Sequence, residues 1–105
     1  MATVYQGDSL WLDFDLSNFR AIDNTWANWS GTFEISTTET ATPSVAGNLV
    51  PSTAEGIMQL RLGSDNSTWN NLAVGTYKLF AQFVNTTVNY REEKHDIVIV
   101  KTQGT

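Results

Sequence analysis

Asp13 and Asp15 stand two apart in the run LWLDFDL. On an extended chain that spacing puts both carboxylates on one face, roughly 6.5–7 Å apart. Paired carboxylates near that distance suit glycoside hydrolysis. With Asp8 or Asp23 they would suit calcium ligation. No substrate-cleft signal accompanies them, however, and acids alternating along a strand usually form a solvated face, which is the expectation here. His95, the only histidine, lies between Lys94 and Asp96. Catalysis by a triad needs a nucleophile oriented on the imidazole, and nothing near His95 in sequence supplies one, so a surface histidine is expected. Asp65-Asn66-Ser67 is rich in oxygen ligands but lacks the glycine and distal glutamate of a calcium loop. A loop or helix cap fits it better. No catalytic residue, cofactor or metal is expected.

The four tryptophans carry more information. Trp26 and Trp29 sit in IDNTWANWSG (22–31), a connection rather than a strand, with Asn24 and Asn28 beside them. Three readings stay open. The indoles fold back to cap one end of the domain, or they anchor a protein interface, where Trp is enriched, or they stack on a sugar ring. Trp11 lies opposite an apolar strand face, next to Asp13 and Asp15. It would make an edge contact or cover a neighbouring loop. Trp69 is expected in the core. Trp26, Asn28, Trp29 and Trp11 are thus the candidate interface residues, and the loop from Ala21 to Ser30 is the first choice of contact surface. Asn28-Trp29-Ser30, Asn66-Ser67-Thr68 and Asn85-Thr86-Thr87 match the glycosylation pattern, which a chain rich in Asn, Ser and Thr meets by chance.

Strands must position these residues. LWLDFDL (10–16) puts Leu10, Leu12, Phe14 and Leu16 on one face and Trp11, Asp13 and Asp15 on the other, the period-2 pattern of a half-buried strand. TFEIST (32–37) and GIMQLRL (56–62) repeat it. TYKLFAQFV (76–84) is apolar enough on its second face to be central, and DIVIVK (96–101) is apolar on both and β-branched. TVYQ (3–6) and GNLV (47–50) are weaker strands. Turn formers lie between, among them Gln6-Gly7-Asp8, Thr42-Pro43-Ser44 and Pro51-Ser52-Thr53. Asn85-Thr86-Thr87 has hairpin spacing before a strand starting at Val88. In SDNSTWNNL (64–72), Ser64 or Asp65 would cap one helical turn that turns Trp69 and Leu72 inward.

About seven short strands with turns between them predict an all-β fold, a single immunoglobulin-like antiparallel β-sandwich over residues 1–105. The core spans about 7–101. The arm before Gly7 and the tail after Lys101 are polar and would order on binding. Such sandwiches often pin a corner with a tyrosine hydroxyl. In NLAVGTYKLF (71–80), Leu72 would plug the core, Gly75 would give a tight corner and Tyr77 would pin it. The alternative is an ordinary strand tyrosine.

Composition narrows the function classes. Net charge is −5 and falls in the first 52 residues, where Arg20 is the only base. An acidic half repels phosphate backbones, so no nucleic acid is expected; it would be a solvated face or meet a basic partner. The chain has no cysteine, which excludes disulfides and thiolate chemistry and favours assembly in a reducing cell. MATVYQGDSLW does not read as a signal peptide, and no stretch approaches the roughly 20 apolar residues of a membrane span.

Taken in order, these segments resemble a known family. Gly7-Asp8 leads into the strand from Leu10 to Leu16. Trp29-Ser30-Gly31 steps into Thr32-Phe33-Glu34-Ile35. A glycine-led strand runs from Gly56 to Leu62, and a polar stretch ends in Leu72, Gly75-Thr76-Tyr77 and a long hairpin. The pattern over residues 7 to 100 is similar to the small immunoglobulin-like virion domains of tailed phages, in particular the N-terminal domain of phage baseplate upper proteins. Trp29-Ser30-Gly31 replaces the leucine-threonine-glycine step usual there, and REEKHD (91–96) stands where a glycine is often found. The resemblance implies a non-enzymatic structural subunit of the virion, assembled in the host cytoplasm. It would be present in several copies and held by contacts with itself and other virion proteins. Stopping after one domain, the chain would be a stand-alone tail, baseplate, adaptor or capsid-decorating subunit. The alternative is a carbohydrate-binding or receptor-binding module using exposed tryptophan.

Overall fold

The computed structural model describes residues 1–38, 42–51 and 56–102. Ser52 and Thr53 of the expected turn, and the tail 103–105, lie outside the described residues. The chain is an all-β sandwich, with eight strands among the described residues: β1 (Ala2–Tyr5), β2 (Leu10–Asp15), β3 (Ser30–Ser36), β4 (Val45–Asn48), β5 (Val50–Pro51), β6 (Ile57–Leu62), β7 (Gly75–Asn85) and β8 (Tyr90–Lys101). One sheet has the order β1-β8-β7-β3-β4 and the other β2-β6-β5. With β3, β7 and β8 adjacent in one sheet and β2, β6 and β5 in the other, the order is that of immunoglobulin-type sandwiches.

The alternation in sequence becomes the two faces of each sheet. Leu10, Met58, Leu60 and Leu62 of one sheet and Phe33, Ile35, Leu79, Ala81, Phe83 and Val98 of the other are buried between them. Phe14 meets Phe83 edge-on across the gap, with ring centroids 5.6 Å apart. The corner before β7 holds as a hydrogen bond: the Tyr77 hydroxyl donates to the Ala73 carbonyl at 2.6 Å. Leu72 is buried beside it, and the Gln6 side chain donates to the Leu72 carbonyl. Gly75 is not what makes the corner tight. It lacks a positive φ, and a Cβ there would sit 3.7 Å from the Tyr77 ring, an ordinary contact.

Four expectations are corrected. The arm before Gly7 does not await a partner to order: the weaker strand expected at TVYQ is β1, and it pairs with β8 in parallel rather than antiparallel, Ala2 opposite Val98. Gly7 at φ 87° turns the chain from that sheet into the other. The run expected as one strand at 47–50 is cut at Leu49, which is buried while its amide donates to the Gly31 carbonyl. The chain changes sheets there, so β4 lies in one and β5 in the other. A Cβ on Gly31 would lie 2.8 Å from Leu49 Cδ1 and 2.9 Å from Met58 Sδ, so the crossing needs a glycine beneath it. The strands expected at Val88 and Asp96 are one 12-residue strand, β8, joined to β7 by the turn 86–89. The helical turn, α1 (Ser67–Asn70), is capped by Asn66 rather than Ser64 or Asp65. Trp69 is buried under it and donates its indole N–H to the Asp8 carbonyl at 2.9 Å.

Candidate binding surfaces

One end of the sandwich is organised around Asp23. A 3-10 turn at Ser17–Ala21 buries Phe19, and the amides of Ile22 and Asp23 both donate to the Phe19 carbonyl. This aims the Asp23 carboxylate at its neighbours. Oδ1 accepts from the Thr25 amide at 2.9 Å. Oδ2 accepts from Asn28 Nδ2 at 2.8 Å and from Asn85 Nδ2 at 2.9 Å. The Asn85 and Asn28 amides and the Thr25 N–H, in that order, hold the carboxyl below its ordinary value of 3.8. The Asp23 carbonyl takes the indole N–H of Trp29 at 3.0 Å. Asn85 is itself fully buried, and its carbonyl oxygen accepts from the amides of Thr87 and Val88 in the β7–β8 turn. Two loops more than 60 residues apart in sequence are thereby tied through one carboxylate.

The same geometry decides the tryptophan readings for this loop. Trp29 is 5% exposed, stacks on Phe19 at 5.1 Å and meets Tyr90 edge-on at 5.8 Å. It is a core residue and not a contact residue, because its indole N–H and both neighbouring rings are satisfied inside. Trp26 is half-buried against the core in a second 3-10 turn, Trp26–Asn28. Asn28 spends its amide on Asp23. The large apolar side chains that this end presents to solvent are Ile22, 41% exposed, and Val88, 43% exposed.

The outer face of the three-stranded sheet is a second surface. Trp11 stands opposite Arg61, Asp13 opposite Gln59, and Gln59 opposite Val50. Trp11 is 62% exposed, the most open of the tryptophans. The Arg61 guanidinium lies over its ring, 4.9 Å from the centroid. Arg61 Nε donates to Gln59 Oε1 at 2.8 Å, joined by Nη2, and Gln59 Nε2 donates to Asp13 Oδ1 at 2.8 Å. Asp15, next on the strand, accepts from the Ser17 amide, and that bond first holds its carboxyl below 3.8. Asp13 and Asp15 therefore face solvent with separate partners. Among the described residues no three His, Cys, Asp or Glu side chains converge to hold a metal.

The outer face of the five-stranded sheet is shallowly concave, about 380 Å³, over Thr32, Glu34, Phe80, Gln82, Glu93 and His95. His95 is exposed and set edge-on to Phe80, with ring centroids 4.7 Å apart, and its Nε2 is 3.4 Å from Glu93. Arg91 pairs with Glu93 and holds that carboxyl below its ordinary 4.5. Of the glycosylation patterns, Asn85 is fully buried and Asn66 caps α1.

Sequence reasoning missed the Asp23–Asn85 tie. Asn85 looked like any turn asparagine, and its partner is remote in the chain. The pairing of Trp11 with Arg61 was equally invisible, because it depends on the register of β2 against β6. Neither protein-family models nor curated proteins give a match to this chain.

Proposed function

We propose that this chain is a non-enzymatic structural module acting by protein–protein contact. Its setting is the one the sequence resemblance implies, a tailed-phage virion, where it serves as a tail, baseplate, adaptor or capsid-decorating subunit in several copies. The observation that supports a contact role is the tie from Asp23 to Asn85, which locks two loops into one rigid end with Ile22 and Val88 exposed on it. Ordering loops on binding costs free energy, so an end already ordered by internal hydrogen bonds binds with less loss. Apolar side chains on such an end act as anchors. Repetition over many copies turns individually weak contacts into firm attachment.

The test is light scattering of the purified protein alone, followed by co-sedimentation with virions or capsids stripped of minor proteins. Uptake at a fixed stoichiometry is expected, with Ile22→Asp and Val88→Asp abolishing it while the melting temperature holds. A monomer that ignores particles would refute the proposal.

A further inference from the structure

We propose that β4 is a joint between copies of this chain: a second copy lays its own β4 antiparallel along the first, and two five-stranded sheets become one continuous sheet. The joint deepens the multi-copy contact role proposed above and rests on that reading, but it uses none of the residues of the loop end.

A sheet edge presents unpaired N–H and C=O groups, and proteins guard such edges with charge, proline or shortness. The edges of this sandwich are β1 and β4 in the larger sheet and β2 and β5 in the smaller. β2 carries Asp13 and Asp15, so a second β2 laid on it would bring the aspartates of two copies together. β5 spans two residues, and its Pro51 has no N–H to give. On β1 the Gln6 amide donates to the Lys101 carbonyl, so in a parallel ladder Tyr5 faces outward, and its carbonyl is already taken by the Asp8 amide. The Met1 ammonium at the start of β1 is paired with Asp96. β4 reads Val-Ala-Gly-Asn: it has no charge and no proline, and Ala46, Gly47 and Asn48 are all exposed.

The phase of the β3–β4 ladder shows which groups are open. The Leu49 amide donates to the Gly31 carbonyl, so Gly47 opposite Phe33 is the next bonded pair of the antiparallel register. Ala46 and Asn48, between those pairs, turn their N–H and C=O groups away from β3. A second copy matches this edge without adjustment. A two-fold axis at Gly47 sets Ala46 opposite Asn48 of the second copy and Asn48 opposite its Ala46, and each of these pairs exchanges both of its hydrogen bonds. Between them Gly47 meets Gly47 in the non-bonded pair, where Cα atoms approach to about 4.5 Å, and no side chain collides. An extended foreign peptide fits less well. Strand addition draws its specificity from pockets for alternate side chains, and Ala46 and Gly47 are too small to wall one. Four backbone bonds with little apolar burial make a weak joint, with a Kd of about 0.1–1 mM, which holds firmly once copies stand side by side.

The experiment is sedimentation equilibrium of the full chain, which should show monomer and dimer exchanging as the concentration rises to about 2 mM. Ala46→Pro removes an N–H that β3 does not use, and Asn48→Lys places a lysine on each side of the joint. Each should weaken the dimer at least tenfold, and an unchanged melting temperature checks that the domain still folds. Cysteine reports the register, since the chain has none of its own. Ala46→Cys and Asn48→Cys, mixed and oxidised, should cross-link to each other, because bonded antiparallel pairs lie about 5.5 Å apart at Cα, within disulfide reach. Neither variant should cross-link alone. The proposal is overturned by a chain that stays monomeric up to about 2 mM, where a joint of the expected strength is largely paired. It is also overturned by a dimer that survives both Ala46→Pro and Asn48→Lys, or by either cysteine variant cross-linking with itself and not with the other. Particle uptake without a β4 dimer would refute the joint alone, and a β4 dimer without particle uptake would refute the virion role alone.

Discussion

Replacing Asn85 with alanine tests whether the loop end is held as the structure indicates. Asn85 is fully buried and makes three hydrogen bonds, one donated to Asp23 at 2.9 Å and two accepted from Thr87 and Val88 at 3.0 and 3.3 Å. At roughly 1 kcal/mol net for each good bond and half that for the long one, Asn85→Ala should cost about 2.5 kcal/mol. In a domain of this size that lowers the melting temperature by about 10–20 °C. Circular dichroism measures the shift, and hydrogen exchange should show faster exchange at Thr87 and Val88. Asn85→Asp sharpens the test, since it keeps the acceptor for the turn but sets a second carboxylate against Asp23. The new carboxyl, buried beside a like charge, must have a raised pKa. Its penalty is therefore fully present at neutral pH and shrinks as the pH falls and it protonates. A shift under about 5 °C for Asn85→Ala, against the 10–20 °C expected from its bonds, would refute the reasoning. So would an Asn85→Asp deficit that stays constant from pH 7 to about 4, where a raised carboxyl should already be protonating.

Tyr77→Phe removes the 2.6 Å bond to the Ala73 carbonyl and should cost about 1 kcal/mol in urea denaturation with the m-value unchanged. Gly31→Ala drives a Cβ into Leu49 and Met58 and should destabilise by about 1–3 kcal/mol in the same assay, whereas Gly75→Ala should fall within about 0.5 kcal/mol of wild type. Gly56→Ala, at φ 86°, should cost about 1–2 kcal/mol from backbone strain alone. Asp15, Asp23 and Asp96 sit below 3.8 and Glu93 below 4.5 in the folded state. The stability they add is thus present above those ordinary values and lost as the pH falls through the lowered ones. Thermal melts should be flat with respect to these groups from pH 7 to about 5 and drop below about 4, and a domain most stable at pH 3 would contradict this.

The sequence by itself determined the class of fold and most of its elements. Strict alternation at 10–16, 32–37, 56–62 and 76–84 reports which side chains face inward, because a strand's side-chain period is two whatever it pairs with. Leu72 and Tyr77 were legible for a similar reason, since a corner bond four residues long is local. Pairing is not local, and only the tertiary structure decided it. Nothing in GNLV showed that Leu49 would carry the chain from one sheet to the other over Gly31. The parallel docking of β1 on β8 joins the two ends of the chain, and its register is set by the whole sheet. The tryptophans show the limit most sharply. Trp29 and Trp11 are the same residue type, one between Asn28 and Ser30 and the other between Leu10 and Leu12, and those neighbours alone would suggest the opposite burial. One is buried because Phe19, Tyr90 and the Asp23 carbonyl close around it. The other stays open because β6 brings only a guanidinium to its face. Burial depends on partners that arrive from distant parts of the chain, and a single sequence does not contain their positions.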